Sequence, residues 1–132
     1  MKVTVDTSAV IAVLLGENNR ERIIRRTKGV DLIAPASLHW EMGNAFSAMF
    51  KRGRLGADVA LQAISRYEEI PIQLVEVNLA EAVQIAEKRD LYAYDAYMLL
   101  VARRHRAPLL TLDGGLKEAA LQSGIELLEV KS

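Results

Sequence analysis

Cysteine is absent from this chain of 132 residues, which excludes a disulfide framework and any thiolate metal site and is compatible with a reducing cytoplasm. Long apolar runs are absent as well. The longest, Ala9–Leu15, is far too short to cross a bilayer, so no membrane association is expected. Asp6 interrupts the N-terminal apolar stretch almost at once, and no secretory segment is expected. There is no Gly-rich phosphate loop of the Walker or Rossmann type. His39 and His105 are too few and too scattered for an imidazole metal cluster. An excess of one charge is also missing, since 17 Lys and Arg balance 17 Asp and Glu. The balance is uneven along the chain, however. Residues 1–56 carry nine basic against five acidic side chains and residues 57–132 eight against twelve, which permits a nucleic-acid-facing side without requiring one.

What is present is enough for one well-filled domain spanning 1–132, with 51% hydrophobic residues. The organising stretch is the first eight residues. Val3-Thr4-Val5 is β-branched throughout and reads as a buried strand. Asp6 ends it, and Ser8 reads as the N-cap of a helix starting at Ala9. Next come a basic helix over Arg20–Lys28, a strand over residues 31–34, and a long helix capped by Ser37 that runs to Arg52. Met42, Phe46, Met49 and Phe50 form one apolar stripe on it, which marks core or interface. Further helices are expected over Ala57–Glu69 and Leu79–Arg89, the second capped by Asn78. Another runs from Tyr94 or Asp95 to Arg106, and a last one covers Leu116–Gln122. Strands are expected over Ile72–Val77, Pro108–Leu112 and Ile125–Val130. Strands alternating with helices predict an α/β fold, a five-stranded, mostly parallel sheet with helices on both faces and right-handed crossovers.

Four acidic residues stand where such a sheet opens its ligand-binding edge. Asp6 and Asp113 each follow a strand, Glu41 lies in the first turns of the helix after the second strand, and Asp95 starts the helix before the fourth. Clustered carboxylates repel unless a cation separates them. With only oxygen donors on offer, that cation is Mg²⁺ or Mn²⁺, and the chemistry such sites serve is metal-assisted phosphodiester hydrolysis. Each acid also has a plain structural reading. Glu41 and Asp95 oppose a helix dipole, and Asp113 before Gly114-Gly115 suits a flexible turn or cap. Asp6 has the least structural necessity of the four.

Taken together, four stretches give the chain its resemblance to a known family. These are Val5-Asp6-Thr7-Ser8-Ala9, Glu41 with Asn44-Ala45, Tyr94-Asp95-Ala96-Tyr97 followed by Leu100-Val101-Ala102, and Leu110-Thr111-Leu112-Asp113. In that order and spacing the chain resembles a PIN domain over essentially its whole length. Within that family it is similar to the short PIN ribonucleases that act as VapC-type toxins of prokaryotic toxin–antitoxin pairs. The resemblance implies a three-layer PIN-like fold and a cytoplasmic Mg²⁺- or Mn²⁺-dependent endoribonuclease. Asp6, Glu41, Asp95 and Asp113 would be its catalytic, metal-binding acids, and Thr7, Ser8, Asn44 and Thr111 supporting polar groups. It further implies an RNA substrate, a protein antitoxin and a homodimer. Gly114-Gly115 departs from the more polar residues expected after the last Asp.

Other readings stay open at this point. A PIN nuclease of RNA processing or decay without an antitoxin would share every feature above, and an inactive PIN interaction module would share most. A receiver domain would need paired acids after the first strand, and a haloacid-dehalogenase-like phosphatase an acid at position 8, where Ser8 stands. The basic helix ends Lys51-Arg52 with Arg54, and Arg103-Arg104-His105-Arg106, read as cations favoured by the helix dipole or as contacts to phosphate. Tyr92, Tyr94 and Tyr97 read as core beside the site, or as a surface on which an unpaired base could stack.

Overall fold

The computed structural model describes residues 1–130. Its elements are β1 (Lys2–Val5), α1 (Thr7–Leu14), α2 (Arg20–Arg26), β2 (Asp31–Pro35), α3 (Leu38–Lys51), α4 (Ala57–Glu69), β3 (Ile72–Val75), α5 (Leu79–Arg89), α6 (Ala93–His105), β4 (Leu109–Leu110) and α7 (Gly114–Gln122). The strands form one sheet in the order β3-β2-β1-β4, and every pairing is parallel.

Side-chain alternation along the strands builds the layers. Val3 pairs with Leu32 and Thr4 with Ile33, so Val3 and Val5 look to one face and Thr4 to the other. The first face packs with α1, α3 and α4 into the main core, where Val3, Ala34, Leu38 and Ala60 are wholly buried. On the second face α6 lies across β1, β2 and β4, with Val101 and Ala107 against Ile33. Thr4 is polar and fully buried there, and its hydroxyl donates to the Ala107 carbonyl at 3.1 Å, which satisfies it. On α3, Met42 and Phe46 enter the core, whereas Met49 is half-buried and Phe50 exposed.

Several local expectations are corrected. Among the described residues the sheet has four strands, not five. The Ile125–Val130 stretch makes a single parallel bridge, Leu109 to Leu127, because β4 is only two residues long and offers no ladder to extend. Asp6, not Ser8, caps α1, with its side chain accepting from the Ala9 amide. Ser37 stands at the N-cap position of α3 but makes no cap hydrogen bond. Helix α6 begins at Ala93, a residue before the earliest start expected. Gly114 and Gly115 are the first residues of α7, capped by Asp113, and not a flexible turn.

Two helices close on non-glycine residues with positive φ, α5 on Asp90 at 55° and α6 on Arg106 at 50°. In that conformation Cβ crowds the following carbonyl. Arg106→Gly should therefore stabilise the protein by up to about 1 kcal/mol. The check is a higher urea midpoint with an unchanged denaturant slope.

Candidate metal-binding active site

Parallel strands put the ends of β1 and β4 on one edge, and the residues after them meet there. The Asp6 amide donates to the Leu110 carbonyl at 3.3 Å. Around this contact the first acid is held by a network. Asp6 Oδ1 accepts from the Ser8 hydroxyl at 2.7 Å and from the Ala9 amide at 3.1 Å, and Oδ2 accepts from the Thr111 hydroxyl. The same hydroxyls tie in the fourth strand's exit. Ser8 Oγ accepts from the Leu112 amide at 2.9 Å, and Thr111 Oγ1 from the Asp113 amide at 3.0 Å. Asp113 then turns Oδ1 to the amides of Gly115 and Leu116, at 2.9 and 3.3 Å. Two acids from distant parts of the sequence are thus oriented by one short run of hydroxyls.

Asp6, Glu41, Asp95 and Asp113 line a single cavity of about 300 Å³. Thr7 and Ser8 line it with them, and Ile11, Ala45, Met98 and Leu116 supply the apolar wall. Thr111 stands behind Asp6, buried. Asn44 is not brought in. It is exposed on α3 and outside the lining. A role for Ser37 was missed. Its hydroxyl donates to Glu41 Oε2 at 2.8 Å, and the signal was the four-residue spacing, which puts both side chains on one helix face. A larger cavity of about 550 Å³ lies against α2 and residues 127–130, lined by Arg22, Arg25 and Arg26. It contains no acid cluster, so size does not mark the site here.

The electrostatics follow from burial. Desolvation raises the proton affinity of Asp6, with the hydrogen bonds from Thr111, Ser8 and Ala9 opposing and the Asp113 charge adding to it. Glu41 is pushed up to about 7, chiefly by burial, with Ser37 opposing and the charges of Asp6 and Asp95 adding. Asp95 is raised by burial and then by Asp113 and Asp6. Among the described residues no Lys or Arg lines the cavity, so no cationic side chain there offsets this repulsion.

The donor set fits a hard divalent cation that keeps part of its water shell. Every polar lining group offers oxygen, as Mg²⁺ and Mn²⁺ require. Among the described residues no group of three or more His, Cys, Asp or Glu side chains stands close enough to hold an ion by itself, and the four acids meet as the lining of one cavity. Thr7 gives a second indication. Its Oγ1 lies close enough to Glu41 to lower that group's proton affinity slightly. Yet it is the one buried side-chain nitrogen or oxygen among the described residues with no hydrogen-bond partner. A buried hydroxyl left unpaired in a polar cavity is a place for a water or ligand oxygen.

A consequence for pH follows. A carboxyl group whose folded proton affinity is raised binds its proton more tightly in the native state than in the unfolded chain. Its contribution is present below the ordinary value, about 4.3 for Glu, and is lost as pH rises through the folded value, about 7 for Glu41. The metal-free protein should lose about 1 kcal/mol between pH 5.5 and 8 from Glu41, allowing for its partial exposure. Saturating Mg²⁺ should flatten that fall. Thermal unfolding in EDTA across this range checks it, and a rising midpoint would contradict it.

With fold and geometry in place, comparison with known proteins identifies the class. Residues 3–121 match the PIN domain family, and the chain belongs to it. No curated protein matches significantly. Among solved structures, PAE2754 of Pyrobaculum aerophilum superposes with a TM-score of 0.71 at 23% identity, covering 90% of this chain and 79% of that one. VapC20 of Mycobacterium tuberculosis, a toxin that cleaves the sarcin-ricin loop, gives 0.63 at 18% identity, covering 89% and 94%. A chain of a toxin–antitoxin complex from Klebsiella pneumoniae gives 0.56 at 16% identity, covering 84% and 86%. At these identities the likeness is one of fold. No helix among the described residues is long and apolar enough to cross a membrane.

Proposed function

We propose that the chain is a Mg²⁺- or Mn²⁺-dependent endoribonuclease that hydrolyses RNA phosphodiester bonds with water as nucleophile, and that it is the toxin of a VapBC-type pair acting in the cytoplasm. The observation that carries this reading is the meeting of Asp6, Glu41, Asp95 and Asp113 around one cavity with no basic side chain among its lining. These four acids are the proposed metal-holding residues. A bound divalent cation would supply a water of lowered pKa and charge neutralisation for the oxygens of the phosphodiester.

The chain's own residues supply the rest. Ser8 and Thr111 fix the Asp6 carboxylate in one orientation, which limits reorganisation during the reaction. Ser37 does the same for Glu41. Thr7, with its hydroxyl unpaired, offers a donor to an oxygen entering the cavity. Ile11, Ala45, Met98 and Leu116 exclude bulk water from one side and so strengthen every charge interaction inside. Membership of the PIN family and the likeness in fold to VapC20 and to a toxin–antitoxin complex support the toxin reading. The antitoxin would present an Arg or Lys to the acids, supplying the positive charge that the cavity lacks.

The test is the chemistry of the product ends. Purified protein, free of any partner, should cut a defined RNA without forming a 2′,3′-cyclic phosphate, since water and not the 2′-hydroxyl attacks. Cyclic phosphate ends in mass spectrometry would overturn the mechanism. The free protein is also proposed to be a homodimer that covers the exposed end of the α3 stripe at Phe50, which is 40% exposed. Light scattering at micromolar concentration should return twice the chain mass of 14.6 kDa, and a monomer would count against the dimer.

A further inference from the structure

Aromatic side chains are scarce in this protein, with one Trp, four Tyr and two Phe, and they are unevenly placed. Phe46 and Tyr67 are buried, whereas Trp40 is 74% exposed, Tyr92 84% and Tyr94 51%. These three stand in the turns that carry two of the acids. Trp40 precedes Glu41 in the first turns of α3. Tyr92 is the N-cap of α6, and Tyr94 immediately precedes Asp95 in its first turn. We propose that Trp40, Tyr92 and Tyr94 form a stacking platform for unpaired bases of single-stranded RNA, flanking the acid cavity at its Glu41 and Asp95 sides.

The assignment rests on the ribonuclease reading above and deepens it by naming the form of RNA the site accepts. Three observations carry it. The first is local. An N-cap favours Ser, Thr, Asp or Asn, but Tyr92 makes no side-chain cap hydrogen bond and contributes little burial in return. Local rules broken without a structural gain mark positions kept for another purpose. The second is geometric. Trp40 meets His39 edge-on, with ring centroids 5.9 Å apart and planes at 88°, and His39 Nδ1 is in turn 2.9 Å from the hydroxyl of the buried Tyr67. Tyr94 meets Tyr97 in the same manner, at 5.9 Å and 81°. Edge-on bracing orders a ring while leaving it a face on which a base can stack.

The third observation is electrostatic. A cavity lined by four acids and no basic side chain does little to attract phosphates beyond what a bound divalent cation would supply. Affinity for RNA has to come in part from contacts indifferent to charge, and stacking of bases on aromatic rings is one. A strand whose phosphodiester enters the cavity carries its neighbouring bases past the turns of Glu41 and Asp95, where the rings stand. In a duplex the bases are already stacked on each other and their faces are closed, so the platform selects loops and single strands.

Trp40 is the only tryptophan in the chain, so its emission reads stacking directly. Single-stranded hexaadenylate, titrated in EDTA to prevent turnover, should quench it, and a duplex of the same length should not. With Mg²⁺, Trp40→Ala and Tyr94→Ala should each raise KM for a single-stranded RNA about tenfold with kcat little changed, and Trp40→Phe should recover most of the loss. Tyr92→Ser should raise KM while raising the melting temperature, because serine restores the cap; a merely structural Tyr92 would not move the two in those directions. Cleavage with no quenching and wild-type KM in both alanine variants would overturn the platform and leave the ribonuclease standing. Quenching without cleavage under any divalent cation would do the reverse. Equal quenching by duplex, or variants that dissociate the protein while keeping its RNA affinity, would reassign the rings to another role and also overturn the proposal.

Discussion

Asp6→Asn should abolish RNA cleavage while leaving the metal-free protein as stable as before or slightly more so. The loss of activity follows from taking a charged ligand out of the proposed cation site. Removing several kcal/mol of charge stabilisation from the transition state corresponds to a rate loss of about 10³-fold or more. The stability half rests on burial. Asp6 is only 6% exposed, and desolvation, with the Asp113 charge adding, works against its ionised form. Asparagine has the same shape without that charge. Its oxygen can keep the bonds from Ser8 and Ala9, and asparagine caps a helix about as well as aspartate. Thr111, whose hydroxyl both gives and receives hydrogen bonds, can accept from the new amide. Thermal unfolding in EDTA at pH 7.5, run beside a cleavage assay, separates the two effects. A clear drop in the melting temperature would mean that the carboxylate is needed to hold α1 and β4 together, making Asp6 structural first.

Much of the fold was legible from local pattern. The β-branched first strand, the bounds of Ala57–Glu69 and Leu79–Arg89, and the Asn78 cap all follow from residues close in sequence, and the structure has them. What escaped depends on partners far along the chain. Ile125–Val130 has an apolar strand's composition, but a strand needs a neighbour of matching length, and β4 ends after Leu110. Ser8 and Asp6 are both good caps. The Leu112 amide, far along the chain, donates to the Ser8 hydroxyl, which engages that oxygen away from the helix start. Gly114-Gly115 reads as a loop on propensity, yet the Asp113 cap and the burial of Leu116 draw both glycines into α7. For the acids, chain order was enough to name four elements whose ends share one edge. It could not show the hydroxyl network around Asp6, the bond from Ser37 to Glu41, or that Asn44 stays exposed and outside the cavity lining.

The second large effect concerns the cation. The cavity offers carboxylate and hydroxyl oxygens only, so Mg²⁺ and Mn²⁺ suit it, whereas Zn²⁺ finds none of its favoured nitrogen or sulfur ligands. Ca²⁺ has oxygen ligands available, but its larger radius and loose geometry position an attacking water poorly. Cleavage should therefore be full with Mg²⁺ or Mn²⁺, weak with Ca²⁺ and absent with EDTA. The decisive measurement is cleavage of one defined single-stranded RNA by the purified, partner-free protein, with Mg²⁺ and then after its removal by EDTA. Cutting that stops in EDTA and returns with excess Mg²⁺ is the expected result. Cutting that continues undiminished in EDTA would contradict the assignment of Asp6, Glu41, Asp95 and Asp113 as the holders of a catalytic metal.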